Sequence, residues 1–205
     1  MGVQSDVIAV TITADTLAAD PNGISVSAQV ANNAALVIGG ALASGGAVAL
    51  SNARKITITS GGDDDGISFT VVGTDINGVA QTESITGADS GAATSSKFFL
   101  SIASITAVGD PAGTIIAGIS GDSSDIIFAG RSRLKGVYLT STATAGTVDF
   151  LTSSTAGTSL FKISSVASAT ATRDVVIPDE GVLFNEGIYI QYTVSTFLTL
   201  TVFHA

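Results

Sequence analysis

Acidic residues are concentrated at one place in this 205-residue chain, the triplet Asp63, Asp64 and Asp65 within SGGDDDGISF (60–69). Carboxylate oxygens are preferred ligands of Ca²⁺, so a calcium site is the first chemistry that this stretch suggests. An EF-hand loop alternates its ligands over 12 residues and ends in a bidentate Glu. Here the aspartates are adjacent, and Thr74 occupies the twelfth position counted from Asp63. Calcium would therefore need a less regular cluster of Asp63, Asp64 and Asp65 with Asp75.

The alternative for the same stretch is a tight, solvated turn between two strands. Neighbouring side chains on a strand point to opposite faces, so three consecutive aspartates do not converge on one ion. Gly61, Gly62 and Gly66 flank the triplet and predict backbone with positive φ. We expect the turn rather than the metal site.

The single histidine, His204, lies one residue from the end of the sequence. The chain has no Cys, so a zinc site would need carboxylates to complete it. A Ser-His-Asp triad would have to recruit His204, and the nucleophile-elbow pattern Gly-x-Ser-x-Gly is absent. We expect a frayed or interface-facing histidine.

Paired carboxylates for glycoside hydrolysis could come from Asp179 with Glu180 or Glu186. Sugar clefts usually stack rings on Trp or Tyr, but the chain has no Trp and three Tyr. Asp179-Glu180-Gly181 follows Pro178 and is typical of a turn between strands. No P-loop or dinucleotide fingerprint is present. We therefore expect no catalytic residue, no bound cofactor and no enzymatic activity.

The charge and hydropathy of the chain indicate whether it binds nucleic acid or a membrane. Formal net charge is −9, with only eight Lys and Arg residues, so the basic stripe of a nucleic-acid surface is missing. Arg131, Arg133 and Lys135 alternate and predict a solvated strand face instead. The apolar stretch 35–50 is interrupted by two glycine pairs, which favours short strands and turns over a membrane span. We expect neither a nucleic-acid nor a membrane partner.

The elements that must position these residues are strands. β-Branched residues and glycine turns dominate, and period-2 alternation is clear in VIAVTITAD, where Val10 and Ile12 alternate with threonines. Residues 53–60, 66–74 and 75–87 predict a β-meander, with an Asn77-Gly78 turn before its last strand. Residues 95–109 are interpreted as a strand as well. Strand spacing of roughly 8 to 12 residues predicts an all-β protein of the β-sandwich or jelly-roll type. We place two small β domains at 1–129 and 130–205.

Residues 53–87 also carry a resemblance to a known group of proteins. ARKITITSGGDDDGISFTVVGTDINGVAQTESITG resembles a segment of small virion proteins of tailed bacteriophages. The shared pattern is an Arg-led Thr/Ile strand, a Ser-Gly-Asp turn, a Phe-Thr-Val strand, a Gly-Thr-Asp-x-x-Gly turn and a Glu-x-Ile-Thr-Gly ending. The matching residues are Arg54, Ile56, Ile58, Ser60, Gly61, Asp63, Phe69, Val71, Gly73, Asp75, Gly78, Glu83, Ile85 and Gly87. Residues 177–205 resemble the ends of small phage structural proteins.

The resemblance implies a non-enzymatic virion component, and it brings no catalytic residue with it. We expect a capsid decoration or cement protein on the exterior of the phage head, whose partners are the major capsid protein or other virion proteins. Self-association as a trimer or dimer is expected. Two alternatives remain open: a tail, neck or fibre component, and a carbohydrate-binding or adhesive β module.

Overall fold

The computed structural model describes residues 6–153, 157–169 and 171–205, and these residues form strands and turns without a helix. The all-β prediction is confirmed. Since none of the described segments is helical, none of them supplies a helix that could cross a membrane.

The chain forms two compact units. Unit 2 is the continuous segment Ala18–Gly121, whereas unit 1 combines Met1–Leu17 with Asp122–Ala205. The sequence had predicted one boundary, between residues 129 and 130. The structure instead divides the chain after Leu17 and after Gly121, because the first strand pairs with the last one.

Unit 1 is a β-sandwich, as predicted for the fold class. One of its sheets has the order β1-β15-β9-β12, with β13 also paired to β9. The facing layer has the order β11-β10-β14-β8, and side chains of both layers form one apolar core. The strands of this unit are β1 (Ile8–Thr13), β9 (Ser132–Ser141), β10 (Gly146–Leu151), β11 (Ser159–Ser165), β12 (Thr172–Val176), β13 (Val182–Phe184), β14 (Ile188–Thr193), β15 (Phe197–His204) and the second part of β8 (Thr114–Phe128).

Unit 2 has the strand order β8-β4-β7-β5-β6, and β2 and β3 pair with β8 and β4. Alternation along β4 places Ile56 and Ile58 in the core and Lys55 towards solvent, as the sequence predicted. Its strands are β2 (Asp20–Gln29), β3 (Ala43–Ser44), β4 (Ala47–Ser60), β5 (Ser68–Thr74), β6 (Ala80–Thr86), β7 (Ala92–Val108) and the first part of β8.

The predicted β-meander is correct for the pairing of β5 with β6 and wrong for the pairing of β4 with β5. β5 and β6 form the hairpin that the Asn77-Gly78 turn predicted, with Ser68 opposite Thr86 and Thr74 opposite Ala80. β4 and β5 are not neighbours, because β7 lies between them and pairs with both. The acidic segment therefore crosses from one strand to another two positions away, which a tight hairpin turn could not do.

Candidate functional site

The acidic segment meets two other loops at one end of unit 2. Its backbone bonds to the β6–β7 connection, where Asp64 N donates to Ala88 O at 3.2 Å and Ser90 N donates to Gly62 O at 2.8 Å. It also bonds to the start of β8, where Gly61 N donates to Thr114 O at 2.8 Å. Three connections are thus joined by main-chain hydrogen bonds around the aspartate triplet.

Asp64 is the buried member of the triplet, with no exposed surface, while Asp63 and Asp65 are exposed. Its Oδ1 accepts the N–H of Ala112 at 2.7 Å, and its backbone carbonyl accepts the N–H of Ile67 at 3.0 Å. Its Oδ2 is buried and has no hydrogen-bond partner among the described residues. One aspartate therefore fixes the loop, and the other two face water.

The glycines of this segment have a different structural role from the predicted one. None of Gly61, Gly62 and Gly66 adopts positive φ. A Cβ on Gly61 would lie 2.9 Å from the Thr114 hydroxyl, and one on Gly62 would lie 2.9 Å from a backbone carbon of Ala112. The first two glycines are needed because another backbone approaches closely, not because of their φ angles.

The four carboxylates of the calcium alternative do not come together. Asp75 follows the other end of β5, and its Oδ1 accepts the N–H groups of Asn77 and Val79, both at 2.9 Å. With seven residues of strand in between, Asp75 and Asp64 are about 20 Å apart. Among the described residues, no three His, Cys, Asp or Glu side chains form a group that could hold a metal ion.

His204 is neither frayed nor at the surface, contrary to the expectation. It belongs to β15, pairs with Ile8 on one side and Leu134 on the other, and is 2% exposed. Its Nδ1 is 2.9 Å from the hydroxyl oxygen of Ser132, and that hydroxyl donates its proton to the Ala205 carbonyl at 3.1 Å. Strand pairing with β1 and β9 holds this C-terminal segment in place.

The Ser132–His204 pair lacks the features of a hydrolytic site. Both side chains are buried, and Nε2 of His204 has no hydrogen-bond partner in the described part of the chain. A triad requires a carboxylate at the second ring nitrogen to orient the imidazole. Burial lowers the pKa of His204, which favours the neutral ring.

The acidic pair Asp179 and Glu180 lies in a turn between β12 and β13, as predicted. Asp179 has φ 55° and Gly181 has φ 75°. The carbonyl of Asp179 accepts a bond from Lys135 Nζ at 3.0 Å, and the carbonyl of Glu180 accepts one from Arg133 at 3.3 Å. Two members of the predicted basic face therefore support this turn, and Glu186 is exposed in a later turn.

Sequence reasoning missed two charged residues that organise unit 2. Arg54 is fully buried on β4, and its guanidinium donates to the carbonyl of Ser120. Glu83 of β6 accepts the N–H groups of Ser96 at 2.7 Å and Lys97 at 3.0 Å. Arg54 and Ile56 are two residues apart on β4, and alternate residues of a strand share a face. The alternation of this strand could therefore have indicated that Arg54 is buried.

The outer face of the β1-β15-β9-β12 sheet is a polar surface, because the register of its strands aligns polar side chains in rows. The register of the three strand pairs aligns two rows, and Thr11 and Thr201 share a hydroxyl hydrogen bond of 2.8 Å. Tyr138 stands near the centre of the face and is 39% exposed. One row runs Thr13, Thr199, Thr140 and Thr172, and the next runs Thr11, Thr201, Tyr138 and Asp174.

Two surface depressions lie on the described part of the chain, one in each unit. One of about 440 Å³ lies beside β12 and is lined by Val166 and residues 172–175, including Arg173 and Asp174. Another of about 250 Å³ lies between β4 and β7 and is lined by small and apolar residues with two serines.

Comparisons with known proteins give little. No family model matches the chain, and no curated protein matches it. Among solved structures, the major capsid protein P2 of bacteriophage PM2 is 10% identical with a TM-score of 0.25, over 96% of both chains. A protein of Parabacteroides distasonis described as secreted is 10% identical with a TM-score of 0.24, over 97% of this chain and 88% of that one. Similarities this low carry no argument about function.

Proposed function

We propose that this protein is a non-enzymatic structural component of a tailed-bacteriophage particle, and specifically a decoration or cement protein on the exterior of the capsid. The observation that carries the proposal is the resemblance of residues 53–87 to small phage virion proteins. Its residues have structural roles in unit 2. The shared pattern therefore describes how this unit is built.

Particular members of the pattern support this interpretation. A Cβ on Gly73 would lie 1.9 Å from the Ser101 carbonyl oxygen, and one on Gly87 would lie 2.5 Å from the Asp64 carbonyl oxygen. Asp75 closes the β5–β6 turn, and Glu83 binds the backbone of β7. The two glycines allow a close backbone approach and the two carboxylates accept backbone N–H groups, so these members of the pattern have structural roles.

The charge of the chain suits the outside of a shell filled with DNA. With a net charge of −9 the protein is repelled by nucleic acid and is attracted to basic surfaces. A decoration protein works by contact alone, because many copies that bridge neighbouring shell subunits resist outward pressure from the packaged genome. The expected partners are the major capsid protein and further copies of the same chain.

Copy number per particle tests the proposal. Quantitative mass spectrometry of purified virions should give hundreds of copies of this chain, with the major capsid protein as the internal reference. A shell role would be refuted by about a dozen copies or fewer, since that number fits the symmetry of a tail, neck or fibre instead. Complete absence from purified virions would refute the virion assignment itself.

An adhesive role on a neutral carbohydrate is a second candidate, favoured by the outer face of unit 1. Tyr138 offers an exposed aromatic ring between the hydroxyl of Thr201 and the carboxylate of Asp174, which are its register neighbours. Aromatic rings and hydroxyls are suited to a polyhydroxylated ligand. Binding on a glycan array that Tyr138→Ala abolishes would support this role, and absence of binding by the intact protein would exclude it.

A further inference from the structure

β1 forms one edge of the five-stranded sheet of unit 1, and among the described strands it pairs with β15 alone. The pairing runs through six consecutive residues, from Ile8 opposite His204 to Thr13 opposite Thr199, without a register shift. No residue of β1 is fully buried, although Val10 and Ile12 face the core. The other side of this strand therefore presents backbone N–H and C=O groups that no described strand pairs with.

This edge lacks the features that normally prevent strands from pairing. Natural edge strands carry charged residues, proline or bulges that block addition of another strand. β1 has the sequence IAVTIT, with no charge, no proline and no bulge. Every other described edge strand of five or more residues carries a charge: β2 has Asp20, β6 has Glu83, β11 has Lys162, and β12 has Arg173 and Asp174.

We propose that β1 pairs with β1 of a second copy of this chain, antiparallel and about a two-fold axis through Thr11. Opposed residues of an antiparallel pair share a face, so such an axis must pass through a residue. An axis through Thr11 sets Val10 against Ile12 of the partner subunit on the core side. On the outer side it sets Thr11 against the partner's Thr11.

A second copy suits this edge because the strand complements itself. Two chains of net charge −9 repel each other, so contact is favoured where charge is absent. Aliphatic β-branched residues on one face and threonines on the other form favourable cross-strand pairs with their own kind. Pairing also covers the exposed parts of Val10 and Ile12. The two five-stranded sheets then become one continuous sheet across the axis.

The contact is small, since each copy contributes one strand of six residues. Dimerisation is therefore expected to be weak in dilute solution and to become effective at the high local concentration of an assembly. The inference rests on the fold of unit 1 and would hold for a shell, tail or adhesive protein. Dimerisation in solution can therefore be tested independently of the copy number of this chain in a virion.

Charge complementation at Thr11 tests the pairing. Sedimentation velocity of the intact protein up to about 500 µM should show a monomer–dimer equilibrium. Thr11→Lys alone and Thr11→Glu alone should each raise the dissociation constant about tenfold or more, because like charges then lie directly opposite. An equimolar mixture of the two variants should recover the dimer. Far-UV circular dichroism confirms that each variant is folded.

Thr172 provides the matched control, since it is an exposed threonine on the opposite edge strand, β12. Thr172→Lys and Thr172→Glu should dimerise like the unsubstituted protein. The proposal is overturned if the unsubstituted protein remains a monomer at the highest concentration or forms a trimer. It is also overturned if the Thr11 and Thr172 variants behave alike, or if the mixture fails to recover the dimer.

Cross-linking locates the axis, because the chain has no native cysteine. Thr11→Cys should be joined to the partner's substituted residue by a short bismaleimide, whereas Thr172→Cys should not. Equal cross-linking of the two variants would place the contact elsewhere and contradict the two-fold axis at Thr11.

Discussion

Glu83 binds a stretch of β7 that has lost regular strand pairing. The register between β4 and β7 shifts between Lys55 and Thr57. At this irregularity the hydroxyl of Ser95 accepts the N–H of Ile56 at 2.8 Å. The two oxygens of Glu83 accept the next two N–H groups of β7, at 2.7 and 3.0 Å. The carboxylate thus replaces a missing strand partner.

Removing that carboxylate should destabilise unit 2 measurably. A hydrogen bond to a charged group contributes about 1.5–3 kcal/mol when buried, and these two are partly exposed, so Glu83→Ala should cost about 2 kcal/mol in total. In a unit of about 100 residues this lowers Tm by about 10 °C. Glu83→Gln keeps one acceptor oxygen and should cost about 1 kcal/mol. Urea unfolding and calorimetry measure both values.

The control is Glu180→Ala in unit 1. The Glu180 carboxylate is 83% exposed and lies 3.6 Å from Arg133 Nε, an exposed ion pair that should contribute less than about 0.5 kcal/mol. If Glu83→Ala costs no more than this control, the carboxylate does not support β7 as we argue. A change in the urea m-value would point instead to altered compactness.

Three further predictions follow from single contacts. Gly73→Ala should lower the free energy of urea unfolding by more than about 3 kcal/mol, because the added Cβ would meet the backbone oxygen of Ser101. Gly66 has open space around it, so Gly66→Ala should be nearly neutral. Equal effects of the two substitutions would contradict this prediction. Asp75→Ala should cost about 1–2 kcal/mol and Asp75→Asn less, since Asn keeps the acceptor for Asn77 and Val79, and reversal of that order would refute the turn contact. Burial lowers the folded-state pKa of His204, so the stability due to its neutral form is complete above pH 6.5 and is lost as the pH falls. The difference in unfolding free energy between the unsubstituted protein and His204→Gln should therefore shrink between pH 7 and 5. A difference that stays constant over this range would contradict the prediction.

Local patterns predicted the strands of this fold better than their neighbours. Alternation placed Ile56 and Ile58 in the core because side chains on a strand alternate faces. The Asn77-Gly78 turn predicted the β5–β6 hairpin because two short strands joined by a tight turn must pair. The position of β7 between β4 and β5 depends on contacts distant in sequence, which local alternation does not encode.

The candidate sites show the same limit. The sequence identified Asp64 as part of a turn, but its bond to Ala112 depends on a loop almost fifty residues away. His204 looked frayed because it lies near the end of the sequence, yet pairing of β15 with β1 and β9 buries it. The division into units escaped prediction for the same reason, since β1 joins the C-terminal unit.

A cryo-EM reconstruction of the phage particle tests whether this chain is a decoration protein. We expect density for this chain on the outer surface of the head, repeated across the shell lattice and in contact with the major capsid protein. Density confined to the tail, neck or fibres would contradict the decoration role, and so would a particle with no density for this chain.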